Sequence, residues 1–271
     1  MAIETRTNPF DADTAVTPLG ENRFEAQLSE SWWVGRGPNG GYLAAVLLRA
    51  LQAVAPERPP RSLTIHFLKP PDAGRAEIEV RVDRAGRRAS FLSARLLQEG
   101  ELQATALAAL SDAWPGPDYA AAAMPEVPPA EALPVLEREA IGAPPFFDNY
   151  RAIPALGETP FSGGSEPSGG VWIGAAQPRV LDAPLAAALL DAWFPMPFIL
   201  LDAPKPAPTL DYTVHFRAPL PLPRSSPEDL HLAVFRSALA RDGFFEEDGE
   251  LWSPGGELLA QSRQLALILD L

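Results

Sequence analysis

Ser62-Leu63-Thr64-Ile65-His66-Phe67-Leu68-Lys69-Pro70 and, 149 positions downstream, Asp211-Tyr212-Thr213-Val214-His215-Phe216-Arg217-Ala218-Pro219 are two versions of one segment. In each, apolar and polar residues alternate up to a His-Phe pair, and a proline closes the run. Successive side chains of a strand point to opposite faces, so this pattern reads as a half-buried strand, and proline, which has no backbone N–H, ends it. Chance likeness between two amphipathic strands would account for one such echo. A second echo, Gly100-Glu101-Leu102-Gln103-Ala104 against Gly256-Glu257-Leu258-Leu259-Ala260, follows in the same order at a spacing of 156. Two echoes at nearly equal spacing point to a duplicated unit.

Working outward, each unit reads as a buried helix followed by strands. Asn39 is a suitable N-cap for a helix over Gly40 to Val54, where Tyr42, Leu43, Val46, Leu47, Ala50, Leu51 and Val54 recur at helical spacing before Pro56. An apolar face that wide needs a sheet or another helix to cover it. Strand patterns follow at Leu63–Phe67, Ala76–Val82, Ser90–Leu97 and Leu102–Ser111, separated by turn signals at Asp72-Ala73-Gly74, Ala85-Gly86 and Glu99-Gly100. The Pro-, Ala- and Glu-rich stretch Pro115–Pro145 is the connection, with a short helix expected near Ala130–Arg138. The second unit resumes at Val171-Trp172-Ile173 and continues with a helix predicted over Pro184–Phe194, where Pro184 suits a first turn and Pro195 forces the end. Strands are then expected at Thr209–Phe216, Leu230–Arg236, Gly243–Leu251 and Leu258–Leu269.

The expected fold class is therefore α+β: an antiparallel sheet wrapped around one long central helix, the hotdog arrangement, present twice as a double hotdog. The expected division is an N-terminal repeat over 1–114, a linker over 115–145 and a C-terminal repeat over 146–271.

Composition bounds the function. With 46% hydrophobic and 21% charged residues, the 271-residue chain has the make-up of a folded globular protein. Asp plus Glu number 35 against 22 Lys plus Arg, a formal charge of -13, so nucleic acids and anionic membrane surfaces are poor partners. A local arginine cluster can still meet a small anion, because distant charges are screened. The absence of cysteine removes disulfides, thiolate metal sites and cysteine nucleophiles, and it fits a reducing, cytoplasmic setting. Met1–Thr17 has no apolar run after a basic start, so no signal peptide is read there. The two most apolar stretches are broken by Arg49 and by Asp191, Pro195 and Pro197, so no membrane span is expected. No Gly-x-Ser-x-Gly elbow is present and Ser165 lies in a loose glycine-rich loop, which disfavours an α/β serine hydrolase. His66, His215 and His231 are scattered over strand positions without an HExxH pattern; they read as structural residues, and neither a metal nor a cofactor is expected.

Several motifs together resemble the acyl-CoA thioesterase II family, whose members are double hotdogs. They are Trp33 with Pro38-Asn39-Gly40-Gly41-Tyr42, the strand His66-Phe67-Leu68-Lys69-Pro70, the turn Gly86-Arg87-Arg88-Ala89-Ser90, Thr209-Leu210-Asp211 entering His215-Phe216, and Gly256 through Gln264. The resemblance implies hydrolysis of an acyl-CoA thioester by a water held between an Asp, a Ser or Thr, and a Gln. By motif these are Asp191, Thr209 and Gln264. It also implies a homo-oligomer.

Each candidate has a plainer reading beside the functional one. Asp191 lies among Ala, Leu, Trp and Phe, where a carboxylate is costly to bury unless bonded or used; it reads otherwise as a solvated residue on the helix's open face. Gln264 shares a strand face with Ala260, Ser262, Ala266 and Ile268 and reads otherwise as a glutamine bonding a neighbouring carbonyl. The 156 spacing places Ala108 opposite it, so one active constellation per chain is expected. Thr209 alternates with Asp211, Thr213 and His215 and reads otherwise as an ordinary strand threonine. Asn39, Gly40 and Gly41 open the first helix, whose free N–H groups can face an oxyanion; the glycines alternatively serve close packing. Arg36, Arg87 and Arg88 suit CoA phosphates, or are solvated turn charges.

The mechanism this suggests places the acyl chain in an apolar channel between the repeats, its carbonyl near Gly40 and Gly41, with Asp191 as general base. A non-catalytic acyl-CoA-binding or assembly module is the alternative. A hydratase of the same fold ranks below both, because no histidine lies on either predicted helix.

Overall fold

The computed structural model describes residues 8–269 except 136, 137 and 139–141. The first seven residues of the Met1–Thr17 reading, part of the Ala130–Arg138 helix and the last two residues of the C-terminal repeat lie outside these.

The first unit begins with a single-turn helix α1 (Pro9–Asp13) and a hairpin of β1 (Val16–Gly20) and β2 (Arg23–Leu28). A second, two-residue hairpin, β3 (Trp33–Val34) and β4 (Gly37–Pro38), leads into α2 (Gly40–Val54). The bounds of α2 are those predicted: Asn39 Oδ1 accepts the Tyr42 N–H at 3.0 Å and starts the helix, and Pro56 prevents its continuation. Strands β5 (Pro60–Phe67), β6 (Gly74–Ala85), β7 (Ala89–Gln98) and β8 (Glu101–Ser111) follow. In the expected linker a 3₁₀ turn at Ala130–Ala132 stands at the start of the predicted helix.

The second unit repeats this order with β9 (Tyr150–Gly157), β10 (Ser168–Ala175), α3 (Ala183–Leu189), β11 (Thr209–Phe216), β12 (His231–Arg236), the short β13 (Ala240–Arg241), β14 (Phe244–Trp252) and β15 (Leu258–Leu267). The long second helix is a correction. Predicted over Pro184–Phe194, it stops at Leu189, and Asp191 and Trp193 lie beyond it. Ala192 bonds back only to Leu189, and Pro195 and Pro197 then open a separate 3₁₀ turn over Met196–Leu200. A central helix of 15 residues in one unit is thus matched by one of 7 in the other.

One antiparallel sheet runs through both units in the order β1-β2-β6-β7-β8-β5-β11-β15-β14-β12-β10-β9, with β13 on the side of β14. The two halves of this path mirror each other, and they join where β5 pairs with β11. There Thr64 lies opposite Thr213, their hydroxyls 3.0 Å apart, and these are repeat-equivalent residues; an approximate two-fold axis passes between them. Helices α2 and α3 pack against each other inside the sheet. Leu47, Leu48 and Leu51 of α2 are fully buried, and each such side chain contributes roughly 1.5–3 kcal/mol by leaving water. A second apolar cluster, with Trp172, Trp252 and Val234, lies beneath Met124, Val127 and Ala130 of the connecting segment. Among the described residues no helix is long and apolar enough to cross a membrane.

Candidate active site

The end of α3 from the second unit meets the start of α2 from the first, and Asp191 sits at this junction. Its Oδ2 accepts the Gly41 N–H at 2.7 Å and Asn39 Nδ2 at 3.0 Å, and Asn39 Nδ2 also reaches the Asp191 carbonyl oxygen at 2.8 Å. The helix therefore binds an anion at its N-terminus, and the anion is the protein's own carboxylate. This differs from the expected role for Gly40, Gly41 and Asn39: the Gly41 amide and the Asn39 side chain are engaged with Asp191 rather than turned toward an oxyanion. Glycine at 41 is required by packing as well, since a Cβ there would lie 2.8 Å from the Ala188 carbonyl oxygen and 2.9 Å from Asp191 Cβ. Asp191 keeps a partly exposed edge. Burial pushes its carboxyl up to about 6, against the pull of the Gly41 amide, the Gln264 and Asn39 side chains and the Gly40 amide.

Thr209 and Gln264 come together beside it. Thr209 Oγ1 donates to Gln264 Oε1 at 3.0 Å, although simple alternation places Thr209 on the outer face of β11 with Thr213 and His215. A register shift between Thr209 and Asp211 explains the difference: one extra residue in the strand turns Thr209 inward. Gln264 is buried at 7% exposure on the inner face of β15. Directly across from it stand Tyr212 on β11 and Glu247 on β14.

Two further groups complete the corner. Glu247, 4% exposed, accepts Gln264 Nε2 at 3.0 Å on Oε1 and the Met196 N–H at 2.6 Å on Oε2. Burial pushes it up to about 8, only partly offset by those two donors. Its signal was present in the chain: Phe245, Glu247, Gly249 and Leu251 share one strand face, so Glu247 stands where a core residue belongs. Tyr150, at the start of β9, has a buried hydroxyl without a hydrogen-bond partner. Burial, then the Asp191 charge, drives its phenol above the usual range.

Apolar surroundings lie beside this corner within the second unit. A narrow cleft runs along Pro154, Leu156, Gly170, Trp193, Met196 and Ile199, and Trp193 packs edge-on against Phe147 and Phe194.

The arginines divide. Arg36 is exposed on the β3–β4 hairpin, a few residues before the α2 N-terminus. Arg87 and Arg88 precede β7 at the Pro60 end of β5, whereas Thr209 enters β11 beyond the Phe67 end. Eight residues of strand separate those ends, roughly 25 Å. Arg88 lies over the Trp114 ring, 5.3 Å from its centroid. His215 is exposed, and buried His231 is held down to about 4 by burial. Among the described residues no group of three or more His, Asp or Glu is disposed to hold a metal ion.

Sheet, helices and polar corner define a hot dog protein with a half-buried acid where its two units meet. The chain belongs to the acyl-CoA thioesterase family: residues 28–111 match the acyl-CoA thioesterase N-terminal domain and residues 120–268 its C-terminal domain. A solved protein of unknown function with a hot dog fold from Alicyclobacillus acidocaldarius is 30% identical, with a TM-score of 0.87 over 98% of this chain and 99% of that one. A thioesterase II candidate from Thermobifida fusca YX is 29% identical, with a TM-score of 0.79 over 97% and 98%. An uncharacterized protein of Mycobacterium tuberculosis H37Rv is 27% identical over 274 residues, 90% of either chain.

Proposed function

We propose that this protein hydrolyses acyl-CoA thioesters, with Asp191 as general base and Thr209 and Gln264 steadying the attacking water. The observation that carries the reading is the meeting of the three polar side chains, distant in sequence, at one largely buried corner beside an apolar cleft. The water oxygen bonds to the thioester carbonyl carbon while Asp191 takes its proton; the tetrahedral intermediate then breaks its C–S bond, releasing the acid and CoA thiolate, which is protonated by solvent. Fixing the water beforehand removes the entropy cost of recruiting it. The α2 N-terminus takes a supporting role here: Gly40, Gly41 and Asn39 seat the base. The acyl chain lies along the Trp193–Met196 cleft, and Arg36 is nearer than Arg87 or Arg88 to meet a CoA phosphate.

The same reading includes a double hotdog with repeats over 1–114 and 146–271 joined by 115–145, a homo-oligomeric state and a cytoplasmic location. The acyl-binding module, the alternative of another class, predicts retention of acyl-CoA without product.

An acyl-CoA panel assayed for released thiol tests the proposal. Asp191→Asn is expected to cost about 10²–10⁴-fold in rate and Gln264→Ala less. Because the base must be ionised, kcat/KM should fall as pH drops through about 6. Wild-type turnover no faster than that of both variants sinks the proposal.

A further inference from the structure

Glu247 is a buried acid for which the hydrolysis proposed above has no use. It faces Gln264 across the β14–β15 pair, and its two oxygens have different partners: Gln264 Nε2 at Oε1 and the Met196 backbone N–H at Oε2. The charges whose fields reach it are Asp191, across the corner, and Glu246, its chain neighbour. The Met196–Leu200 turn packed against it carries no charge, and Tyr212 and Gln264 in the adjoining strands are neutral.

A glutamine amide has nearly the same shape whichever way round it sits, while one end accepts and the other donates. Thr209 cannot choose between the ends, because a hydroxyl does both. An ionised carboxylate can, because it only accepts; Glu247 is bonded to the amide at 3.0 Å, while Asp191, which also draws on Gln264, is held first by the Gly41 amide.

We propose that Glu247 is a positioning residue of this site: across the strand pair it sets which end of the Gln264 amide is turned to Thr209. The proposal rests on the hydrolytic reading of Asp191, Thr209 and Gln264. With Glu247 ionised, Gln264 Nε2 points to Glu247 and Oε1 takes the Thr209 proton, which leaves the Thr209 lone pairs to accept a hydrogen from the attacking water. The Met196 N–H donates in every state, so a proton arriving on Glu247 sits on Oε1, the oxygen that faces Gln264. There it becomes a donor, the amide turns over, and Nε2 donates to Thr209. Thr209 then aims its own proton at the water oxygen and weakens the nucleophile. Burial places this change near pH 8. The plain structural use of the same carboxylate is to cap the Met196 turn, and that use affects stability alone.

Glu247→Gln separates the two. Its oxygen is held by the Met196 N–H, so its NH₂ faces Gln264 and the amide stays turned over at every pH. Wild-type kcat is expected to rise about tenfold between about pH 7 and pH 9. Glu247→Gln should stay flat over that range, with KM unchanged and with the same lower limb near 6 from Asp191. In protein labelled with nitrogen-15 at glutamine side chains, the Gln264 signal, identified by its loss in Gln264→Ala, should shift with a midpoint near 8 and stand still in Glu247→Gln. Parallel rate profiles for wild type and variant, or a Gln264 signal that does not move between about pH 7 and pH 9, overturn the proposal. The amide measurement needs no turnover, so a protein that fails to hydrolyse any acyl-CoA defeats the hydrolytic reading while the amide shift still decides the role of Glu247.

Discussion

At one corner of the seam between the units, the N-terminus of α2 receives Asp191; at the two-fold-related corner, the N-terminus of α3 receives a different set of partners. Asp182 caps α3 through the Leu185 N–H at 2.9 Å and is gripped by Arg179 at 2.9 and 2.8 Å. Arg179 and Arg49 both reach Asp11, and Phe10 lies under the two guanidinium groups. The strand row that carries Tyr212, Gln264 and Glu247 in the second unit carries Leu63, Ala108 and Leu92 in the first. Duplication thus yields one corner whose acids have no cation partner among the described residues and one whose acids are paired. A cation offsets the cost of taking a carboxylate out of water; acids without one are held at a cost, and such groups are where chemistry is sited.

The comparison can be broken first at Gly41. A methyl there would press on backbone at Ala188 as well as on Asp191, neither of which can move without the other. Gly41→Ala is expected to lower thiol release about 100-fold and to cost about 1–3 kcal/mol on chemical denaturation. An unchanged rate would mean that the seating of Asp191 is irrelevant. Next, Ala108→Gln places an amide in the first unit's row, where Leu63 and Leu92 provide no side-chain partner. Destabilisation by about 1–3 kcal/mol with no added turnover is expected, and a gain in rate would show that one residue suffices to copy the site.

The smallest effect distinguishes the corners by pH. Burial pushes Asp182 up, but the hydrogen bond and charge of Arg179 and the Leu185 amide outweigh it and hold the carboxyl below its ordinary value of 3.8. Its contribution is therefore present above that value and is lost as pH falls through the lower, folded one. Asp191 and Glu247 are raised, so their contributions are complete below their ordinary values and are lost as pH rises through about 6 and about 8. Melting temperature followed against pH should show Asp182→Ala less stable near neutrality by about 1 kcal/mol, with the gap closing in acid, and Glu247→Gln flattening the alkaline arm instead. Gaps that run the other way would mean that the corners have been assigned the wrong charge states.

Much of the framework was legible without coordinates because it rests on local rules. Asn39 and Pro56 bound α2 to the residue, and the repeat echo at His66 and His215 marks the two strands that join the units. The second helix was overextended because Ala186–Leu190 and Trp193 continue a helical apolar pattern, and only the Asp191 anchor and the paired prolines show where the chain leaves it. Motif likeness brought Asp191, Thr209 and Gln264 to notice, yet strand alternation alone turned Thr209 outward, because a bulge has no side-chain signature. Glu247 stands at a core-facing position of its strand, but strand alternation does not name Gln264 as its partner.

The order of residues along the chain determined the duplication, the first helix and the strand periodicities, since these depend on neighbours a few residues apart. Only the tertiary structure decided that the α2 N-terminus binds a carboxylate of the other unit, that Thr209 faces inward, and that one of two equivalent corners keeps acids without a cation among the described residues. Those outcomes depend on contacts between segments far apart in the chain, 150 residues for Gly41 and Asp191 and 55 for Thr209 and Gln264, where a bulge or a shift in register reverses a side chain's face, and no local pattern records such a shift.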